Sequence, residues 1–239
     1  MKKYSHIFFD LDNTLWDFDR NSAEVLEELF HKYKLLDLGV PSFEVFLDKY
    51  KNRNEMMWEQ YRLGKIDKVT LRDKRFSLTF WDIGLDAELA PVELSEEYIK
   101  ISPTKKNLFP HAHEVLSVLK EKYTLHIITN GFEEAQHIKL KSADLTKYFS
   151  NIIISEHTGY KKPDVRIFQY ASESVNATAD ECLMIGDGLI VDILGAKDAG
   201  WDTVYFNPAK IPHNEKPTYE ISSLDTLTLI LENGYNRQK

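Results

Sequence analysis

Short apolar runs rich in β-branched residues alternate with amphipathic segments along most of this 239-residue chain. Five runs have the length and composition of strands, and they cover residues 7–9, 125–129, 152–154, 183–185 and 203–206. Between the last four runs, apolar residues recur at helical spacing around residues 132–140, 165–175 and 190–199. Strands that alternate with helices usually pair in parallel. The sequence therefore predicts an α/β fold with helices on both faces of a central parallel sheet.

A long interval after the first run breaks this alternation and contains no convincing strand. Amphipathic segments cover residues 22–36, 42–63, 68–81 and 87–101, and Gly39, Gly64 and Gly84 mark helix ends. This pattern predicts an all-helical domain over residues 16–102, inserted directly after the first strand. The α/β domain would then comprise residues 1–15 and 103–239, with a last helix near residues 224–231.

Charge and hydropathy exclude several classes of partner. Because 38 acidic residues outnumber 30 basic ones and the net charge is −8, binding to a nucleic-acid polymer is disfavoured. Asp10 and Asp12 interrupt the first apolar run, and no run approaches membrane-spanning length. We expect a cytoplasmic protein without a membrane partner, present as a monomer or homodimer. Cys182, the single cysteine, is expected to be reduced and buried.

Polar residues directly follow four of the predicted strands. Ligands of open parallel sheets bind beyond the carboxyl ends of the strands, so these residues should meet in one crevice. In chain order they are Asp10, Asp12, Thr14, Thr129, Asn130, Gly131, Lys162, Asp187 and Asp192. A concentration of carboxylates requires a cation, and hard oxygen ligands favour Mg²⁺. Hydroxyl, amide and ammonium donors suit phosphoryl oxygens, so the sequence predicts a magnesium and phosphate site.

Four short motifs strengthen this prediction. They are DLDNT at residues 10–14, ITN at 128–130, KKP at 161–163 and GDGLIVD at 186–192. In this order, and each after a predicted strand, they closely resemble the motifs of the haloacid dehalogenase-like (HAD) hydrolase superfamily. The likeness covers nearly the whole chain. It implies a Rossmann-like three-layer core and a helical cap.

The resemblance also implies a role for each motif residue. Asp10 would be the nucleophile that forms an aspartyl-phosphate, and Asp12 would be the general acid and then the general base. The remaining implied roles are metal binding by Asp10, the main-chain carbonyl of Asp12 and Asp187, phosphoryl binding by Thr129, Asn130 and Gly131, charge compensation by Lys162, and orientation of the metal ligands by Asp192. Asp12 favours a phosphatase, because a halide leaving group needs no acid whereas an alkoxide needs a proton.

Longer stretches resemble the bacterial pyrimidine 5′-nucleotidases. These are LWDF at residues 15–18, MWEQYRLGKI at 57–66, ITNGFEEAQHIKL at 128–140 and ISEHTGYKKPDVRIF at 154–168. The resemblance implies a nucleoside 5′-monophosphate as substrate. Four aromatic residues are candidates for stacking on its base, namely Trp16, Phe18, Trp58 and Tyr61, although an aromatic residue at helical spacing is more often part of a core.

Other functions stay open at this point. A sugar-phosphate phosphatase or phosphomutase of the same superfamily would carry the same motifs. A regulatory or non-catalytic phospho-aspartate protein would also place a carboxylate beside a metal. Two positions depart from the superfamily pattern: Gly188 stands where a small polar residue is common, and His111 stands where glycine is common.

Overall fold

Residues 4–233 are described by a computed structural model of the chain. Their strands form a single six-stranded parallel sheet. The strands are β1 His6–Phe9, β2 Thr124–Thr129, β3 Asn151–Ile154, β4 Cys182–Gly186, β5 Asp202–Phe206 and β6 Tyr219–Ile221. The five predicted strands are confirmed. The short β6 escaped prediction because its three residues carry too little apolar pattern to stand out from a loop.

The order of the strands is β3-β2-β1-β4-β5-β6. Strand β1 therefore lies between β2 and β4, and the strand order runs outward from β1 in both directions. Ile7 is level with Leu125 of β2 and with Leu183 of β4. Residues that follow β1, β2 and β4 consequently reach the same edge of the sheet. In doubly wound folds the ligand crevice lies at such a switch point.

The side chains of β1 alternate between the two faces of the sheet. Ile7 and Phe9 belong to one buried cluster, whereas Phe8 belongs to another that includes Trp201. Both clusters are closed by helices, and this accounts for the apolar character of the strands on both faces. The predicted α/β layering is confirmed.

Ten α-helices are recognised among the described residues. They are α1 Phe18–Lys32, α2 Phe43–Arg62, α3 Lys68–Ile83, α4 Val92–Ile101, α5 Ala112–Leu119, α6 Glu133–Ser142, α7 Ser155–Thr158, α8 Val165–Ser174, α9 Gly195–Asp198 and α10 Thr226–Asn233. Residues 190–199, expected to form one helix, instead comprise a π-helical segment, Leu189–Leu194, followed by α9. Helix α5 follows a turn at Pro110 and was not predicted.

The chain divides into two compact units. One comprises residues up to Phe18 and from Lys106 onward, and the other comprises Asp19–Lys105. The second unit is helical and contains its own buried cluster, which includes Phe46, Tyr50 and Phe80. The amphipathic segments predicted from the sequence form helices in this unit.

Capping residues explain where two helices of the second unit begin and end. Ser42 and Asp67 accept hydrogen bonds from main-chain N–H groups in the first turns of α2 and α3. Gly84 ends α3 with a positive φ of 91°, a conformation that favours glycine. Within the described part of the chain, no helix combines the length and apolar character needed to cross a membrane.

Candidate active site

Asp10 lies at the carboxyl end of β1, in the centre of the sheet. Its main-chain N–H donates to the carbonyl of Ile185, which continues the pairing between β1 and β4. Its Oδ1 accepts a hydrogen bond of 2.6 Å from Nζ of Lys162. Lys162 Nζ also donates to the carbonyl of Ile128 at 2.8 Å and forms an ion pair of 2.6 Å with Asp192. The Lys162 side chain is 1% exposed, so this contact is formed away from water.

Burial dominates the electrostatics of Asp10. It raises the pKa of the carboxyl to about 7, because the Lys162 ammonium only partly offsets desolvation while Asp192 and Asp12 add repulsion. Burial alone would lower the pKa of Lys162, but the carboxylates of Asp10 and Asp192 raise it above its usual value. Lys162 is therefore a permanent cation beside a carboxyl group that titrates near neutrality.

Asp187 follows β4 and completes an acidic cluster. One of its oxygens accepts a hydrogen bond of 3.0 Å from the hydroxyl of Thr14, and that hydroxyl accepts from the main-chain N–H of Asp187 at 3.1 Å. Burial, followed by repulsion from Asp10 and Asp192, raises the pKa of Asp187 well above its usual range. Thr14 is fully buried and holds the orientation of Asp187.

Two glycines make room for the third carboxylate, Asp192. A Cβ at Gly186 would lie 2.4 Å from Oδ2 of Asp192, and a Cβ at Gly188 would lie 2.8 Å from the same atom. The main-chain N–H of Gly188 donates to this oxygen at 2.9 Å. Asp192 thus has one oxygen beside Lys162 and the other held by the motif that contains Gly188. A side chain at Gly188 would therefore require Asp192 to shift.

The donor set fits a hard divalent cation. Asp10, Asp187 and Asp192 each offer a carboxylate oxygen, and these oxygens lie within 4.8 Å of one another. Three carboxylates face the single ammonium of Lys162, and burial, with repulsion between the carboxylates as a smaller cause, raises the pKa of Asp10 and Asp187. Oxygen ligands from carboxylates suit Mg²⁺. Lys162 and Gly188 contact both oxygens of Asp192. Only one oxygen of Asp10 and one of Asp187 have such a contact, so Asp10 and Asp187 are the more available ligands.

Thr129, at the end of β2, is prepared to donate a hydrogen bond. Its hydroxyl oxygen accepts from the main-chain N–H of Gly131 at 3.0 Å and from Nε2 of Gln136 at 2.6 Å. Two accepted hydrogen bonds leave the hydroxyl proton for an incoming acceptor. This arrangement suits a phosphoryl oxygen.

Asn130 has a different position from the one expected for a phosphate ligand. Its side-chain amide donates to the carbonyl of Lys162 at 2.8 Å and accepts from the main-chain N–H of Lys162 at 2.8 Å. The amide group therefore joins the segment after β2 to the segment that carries Lys162. The second N–H of this amide and the main-chain N–H of Asn130 are the groups that remain for a contact with a phosphoryl oxygen.

Asp12 is held by two residues that the sequence analysis did not single out. Its Oδ2 accepts from Nε2 of Gln136 at 2.9 Å, and its Oδ1 accepts from Nζ of Lys139 at 2.6 Å. Gln136 and Lys139 are three positions apart on α6 and share one face of that helix. The sequence did contain a signal for these two residues. Gln136 and Lys139 are polar, yet they occupy positions at which the helix predicted over residues 132–140 should present its buried face.

The four aromatic candidates have different environments. Trp16 is fully buried in the core cluster of its unit, and Phe18 is half-buried, with the two ring centroids 6.2 Å apart. Trp16 therefore offers no free face to a nucleobase, which corrects its expected stacking role. Trp58 is half-buried on α2 and meets the buried Tyr61 edge-on, with centroids 5.6 Å apart. Of Trp58 and Tyr61, Trp58 is the more exposed.

His111 occupies the position before α5 with a φ of 68°. This left-handed conformation favours glycine, and it accounts for the preference for glycine that the resemblance implied at this position. The backbone there is set by the turn after Phe109, whose carbonyl accepts from the main-chain N–H of Ala112.

The chain matches the family model of haloacid dehalogenase-like hydrolases over residues 4–200. It is 34% identical to the pyrimidine 5′-nucleotidase YjjG of Escherichia coli, with 96% of this chain and 98% of YjjG covered. It is 32% identical to the pyrimidine 5′-nucleotidase PynA of Streptococcus pneumoniae, with 94% of this chain and 93% of PynA covered.

A solved structure is also similar. The crystal structure of the HAD-hydrolase YfnB from Bacillus subtilis, bound to magnesium, has a TM-score of 0.86 and 32% identity, with 97% of this chain and 100% of the YfnB chain covered. The superfamily expected from the four motifs is thereby confirmed. With its central parallel sheet and its acidic cluster at the end of β1, the chain belongs to the haloacid dehalogenase-like hydrolase family.

Proposed function

We propose that this hydrolase removes phosphate from nucleoside 5′-monophosphates, pyrimidine nucleotides among them, through an aspartyl-phosphate on Asp10. One observation carries the proposal. The buried Asp10 carboxyl is paired with Lys162 and lies beside Asp187 and Asp192, while Asp12, two residues on, has separate donors of its own. One carboxylate is thus placed among the groups that suit phosphate, and its neighbour is held apart from them by other donors, where it can serve in proton transfer.

In the first half of the reaction, a carboxylate oxygen of Asp10 attacks phosphorus and the ester P–O bond breaks. The bonding electron pair goes to the leaving oxygen, which takes a proton from the carboxyl group of Asp12 and departs as the nucleoside. Thr129 donates its hydroxyl hydrogen bond to a phosphoryl oxygen. Lys162 balances the charge of Asp10 and the phosphoryl group.

In the second half, a water molecule attacks the phosphorus of the aspartyl-phosphate. Asp12, now a carboxylate, accepts a proton from this water, and the bond between phosphorus and Asp10 breaks. Inorganic phosphate leaves, and both carboxyl groups return to their starting states. The same residue therefore acts as acid and then as base.

Asp10, Asp187 and the main-chain carbonyl of Asp12 would hold a Mg²⁺ ion, with Asp192 orienting this group through its contacts with Lys162 and Gly188. Once bound, the ion would supply positive charge close to the phosphoryl oxygens. The excess of carboxylate charge at the end of β1 supports this part of the proposal.

The nucleotide preference is supported by the two relatives named pyrimidine 5′-nucleotidase. Within the helical unit, Trp58 is our candidate for contact with the base. Trp58→Leu is expected to raise KM for nucleotides roughly tenfold, a loss comparable to one stacking contact, and to leave KM for an aryl phosphate within about twofold. Trp81→Leu is the matched control, since Trp81 is an exposed tryptophan of the same unit.

The decisive experiment measures phosphate release with Mg²⁺ from nucleoside monophosphates, sugar phosphates and para-nitrophenyl phosphate, with Asp10→Asn as the blank. We expect release from nucleotides to be fastest and the Asp10→Asn variant to be inactive but folded. Faster release from sugar phosphates would keep the mechanism and reject the substrate. Wild-type rates in Asp10→Asn would reject the covalent mechanism.

A further inference from the structure

Both carboxylate oxygens of Asp12 are held by donors from one face of α6. Nε2 of Gln136 lies 2.9 Å from Oδ2, and Nζ of Lys139 lies 2.6 Å from Oδ1. Two donors on two oxygens restrain both the position and the plane of the carboxylate, whereas a single ion pair would leave it free to rotate. Each oxygen keeps a second lone pair, so the restraint leaves room for a transferred proton.

The orientation of the Gln136 amide is determined by its neighbours. Its NH₂ group donates to Asp12 and also to the Thr129 hydroxyl, while Oε1 is buried without a hydrogen-bond partner. Leaving a buried acceptor unpaired is unfavourable. The opposite orientation would turn Oε1 toward the Asp12 carboxylate and two acceptors would face each other. The unpaired oxygen is therefore a cost of directing the amide donors at Asp12 and Thr129.

Gly131 makes this approach possible. A Cβ at that position would lie 2.3 Å from Nε2 and 2.4 Å from the amide carbon of Gln136. The space beside Thr129 that a side chain would fill is occupied by the Gln136 amide. The glycine of the segment TNG thus has a function in bringing α6 against Asp12.

The ammonium group of Lys139 also contacts two aromatic rings of the segment that carries Asp12. Its ammonium lies 4.6 Å from the centroid of the Trp16 ring and 5.7 Å from that of Phe18, and the side chain is 8% exposed. A turn of the backbone after Leu11 positions Trp16 there. The main-chain N–H of Trp16 donates to the carbonyl of Leu11, and the carbonyl of Trp16 accepts from the main-chain N–H of Asn13. Cation–π contact and ion pairing together hold the ammonium in one position.

We propose that Gln136 and Lys139 are positioning residues for Asp12, which keep its carboxyl group directed at the leaving oxygen of the substrate. This inference rests on the proposed phosphatase activity and on the acid role of Asp12. In the step concerned, the ester P–O bond breaks, its electron pair goes to the leaving oxygen, and the Asp12 proton moves to that oxygen. Neither Gln136 nor Lys139 gains or loses a proton.

The test exploits the leaving group. A nucleoside leaves as an alkoxide and needs the proton, whereas para-nitrophenolate is a stable anion and departs without it. The ratio kcat/KM reports phosphoenzyme formation alone and is not affected by slow dephosphorylation. We expect Lys139→Met and Gln136→Met to lower kcat/KM for a nucleoside monophosphate by about 10²-fold, in the range of general acid catalysis, and for para-nitrophenyl phosphate by less than about threefold.

Lys141→Met is the matched control, because Lys141 is an exposed lysine of the same helix and should leave both ratios unchanged. Asp12→Asn provides the reference for full loss of the acid. If either methionine variant lowers kcat/KM for both substrates by the same factor, or for neither, the positioning role is overturned. Gln136→Met removes no charge, so it keeps the test valid if Lys139→Met does not fold.

The proposed function fails by a different observation. If the wild-type protein releases no phosphate from either ester with Mg²⁺, or if Asp10→Asn is fully active, the phosphatase mechanism itself is rejected. Active wild-type protein with equal losses in the two variants would instead reject only the role of Gln136 and Lys139.

Discussion

Nζ of Lys162 lies 2.6 Å from Oδ1 of Asp10, in a contact that water scarcely reaches. The same ammonium pairs with Asp192, so a single cation joins the carboxyl end of β1 to the π-helical segment that follows β4. Because the ammonium is buried between two carboxyl groups, its removal would leave unbalanced negative charge in the protein interior. Charge balance at the site and stability of the core are therefore linked through one side chain.

Lys162→Met should impair both properties. Breaking a buried ion pair by removing one partner typically costs about 3–5 kcal/mol, and phosphoryl charge would lose its compensation. We expect kcat to fall by at least roughly 10²-fold, in line with the loss of one electrostatic contact to a transition state. Urea unfolding and steady-state phosphate release would measure the two effects. Lys161→Met serves as the neighbouring control, and equal behaviour of the two variants would contradict the assignment.

Metal binding should stabilise the protein more at high pH than at low pH. Burial raises the pKa of Asp10 to about 7 and that of Asp187 well above its usual value, so the metal-free protein favours their protonated forms. The contribution of these protonated groups to the free energy of unfolding is complete below a pH of about 4. It is lost as the pH rises through 7.

Mg²⁺ competes with those protons. At a concentration of 100 times its Kd, it should add about 2.7 kcal/mol to the free energy of unfolding at pH 8. Thermal unfolding with and without Mg²⁺ should show a clearly larger gain in Tm at pH 8 than at pH 5.5. An equal gain at both pH values would contradict ligation by these carboxyl groups, and Asp187→Asn should abolish most of the gain.

Gly188→Ser tests the close approach of Gly188 to Asp192. The added Cβ would lie 2.8 Å from Oδ2 of Asp192 and displace a carboxylate that contacts Lys162. We expect the Mg²⁺ concentration for half-maximal activity to rise roughly tenfold, as is typical when a group that orients metal ligands is disturbed. Gly64→Asn is a control for the loss of a glycine at a distant position in the sequence, since a Cβ there meets no atom within 4 Å and asparagine tolerates the left-handed backbone at a φ of 68°. An unchanged Mg²⁺ requirement in Gly188→Ser would show that Asp192 moves without consequence.

A pair of histidines, His6 at the start of β1 and His126 within β2, should make the free energy of unfolding depend on pH. His126 is buried, its Nε2 lies 3.0 Å from Nδ1 of His6, and its ring stacks on Phe8. Burial, with a smaller contribution from His6, lowers the pKa of His126 to about 4. The neutral form is thus favoured by folding, so its contribution is complete above pH of about 6.5 and is lost as pH falls toward 4.

His126→Phe removes this titration and keeps a ring beside Phe8. We expect the wild-type protein to lose roughly 2 kcal/mol more than the variant between pH 7.5 and pH 4.5, less than the full shift would give, because pH 4.5 still lies above the lowered pKa of His126. Urea unfolding at the two pH values measures this difference. Identical pH dependence in the two proteins would show that His126 is protonated without cost in the fold.

The strands and the strand-end residues were predictable because they depend on short-range pattern. Apolar runs such as residues 183–185 are recognisable from composition, and parallel pairing brings their carboxyl ends together whatever the details of packing. Asp10, Thr129, Lys162 and Asp187 could therefore be placed near one edge of the sheet from the order of the motifs. Strand β6 was missed because its three residues carry too little apolar pattern, and helix α5 was missed because it has only eight residues.

The sequence by itself determined the parallel sheet, the helical insert and the identity of the motif residues, since each depends on local periodicity and on chain order. Only the tertiary structure decided which groups contact one another. It directed the Asn130 amide to the backbone of Lys162, buried Trp16 beneath Lys139, and brought Gln136 to Asp12 through the space left by Gly131. These contacts join residues up to 127 positions apart, as in the pair of Asp12 and Lys139. No local pattern encodes such distances, because they depend on how the completed elements pack.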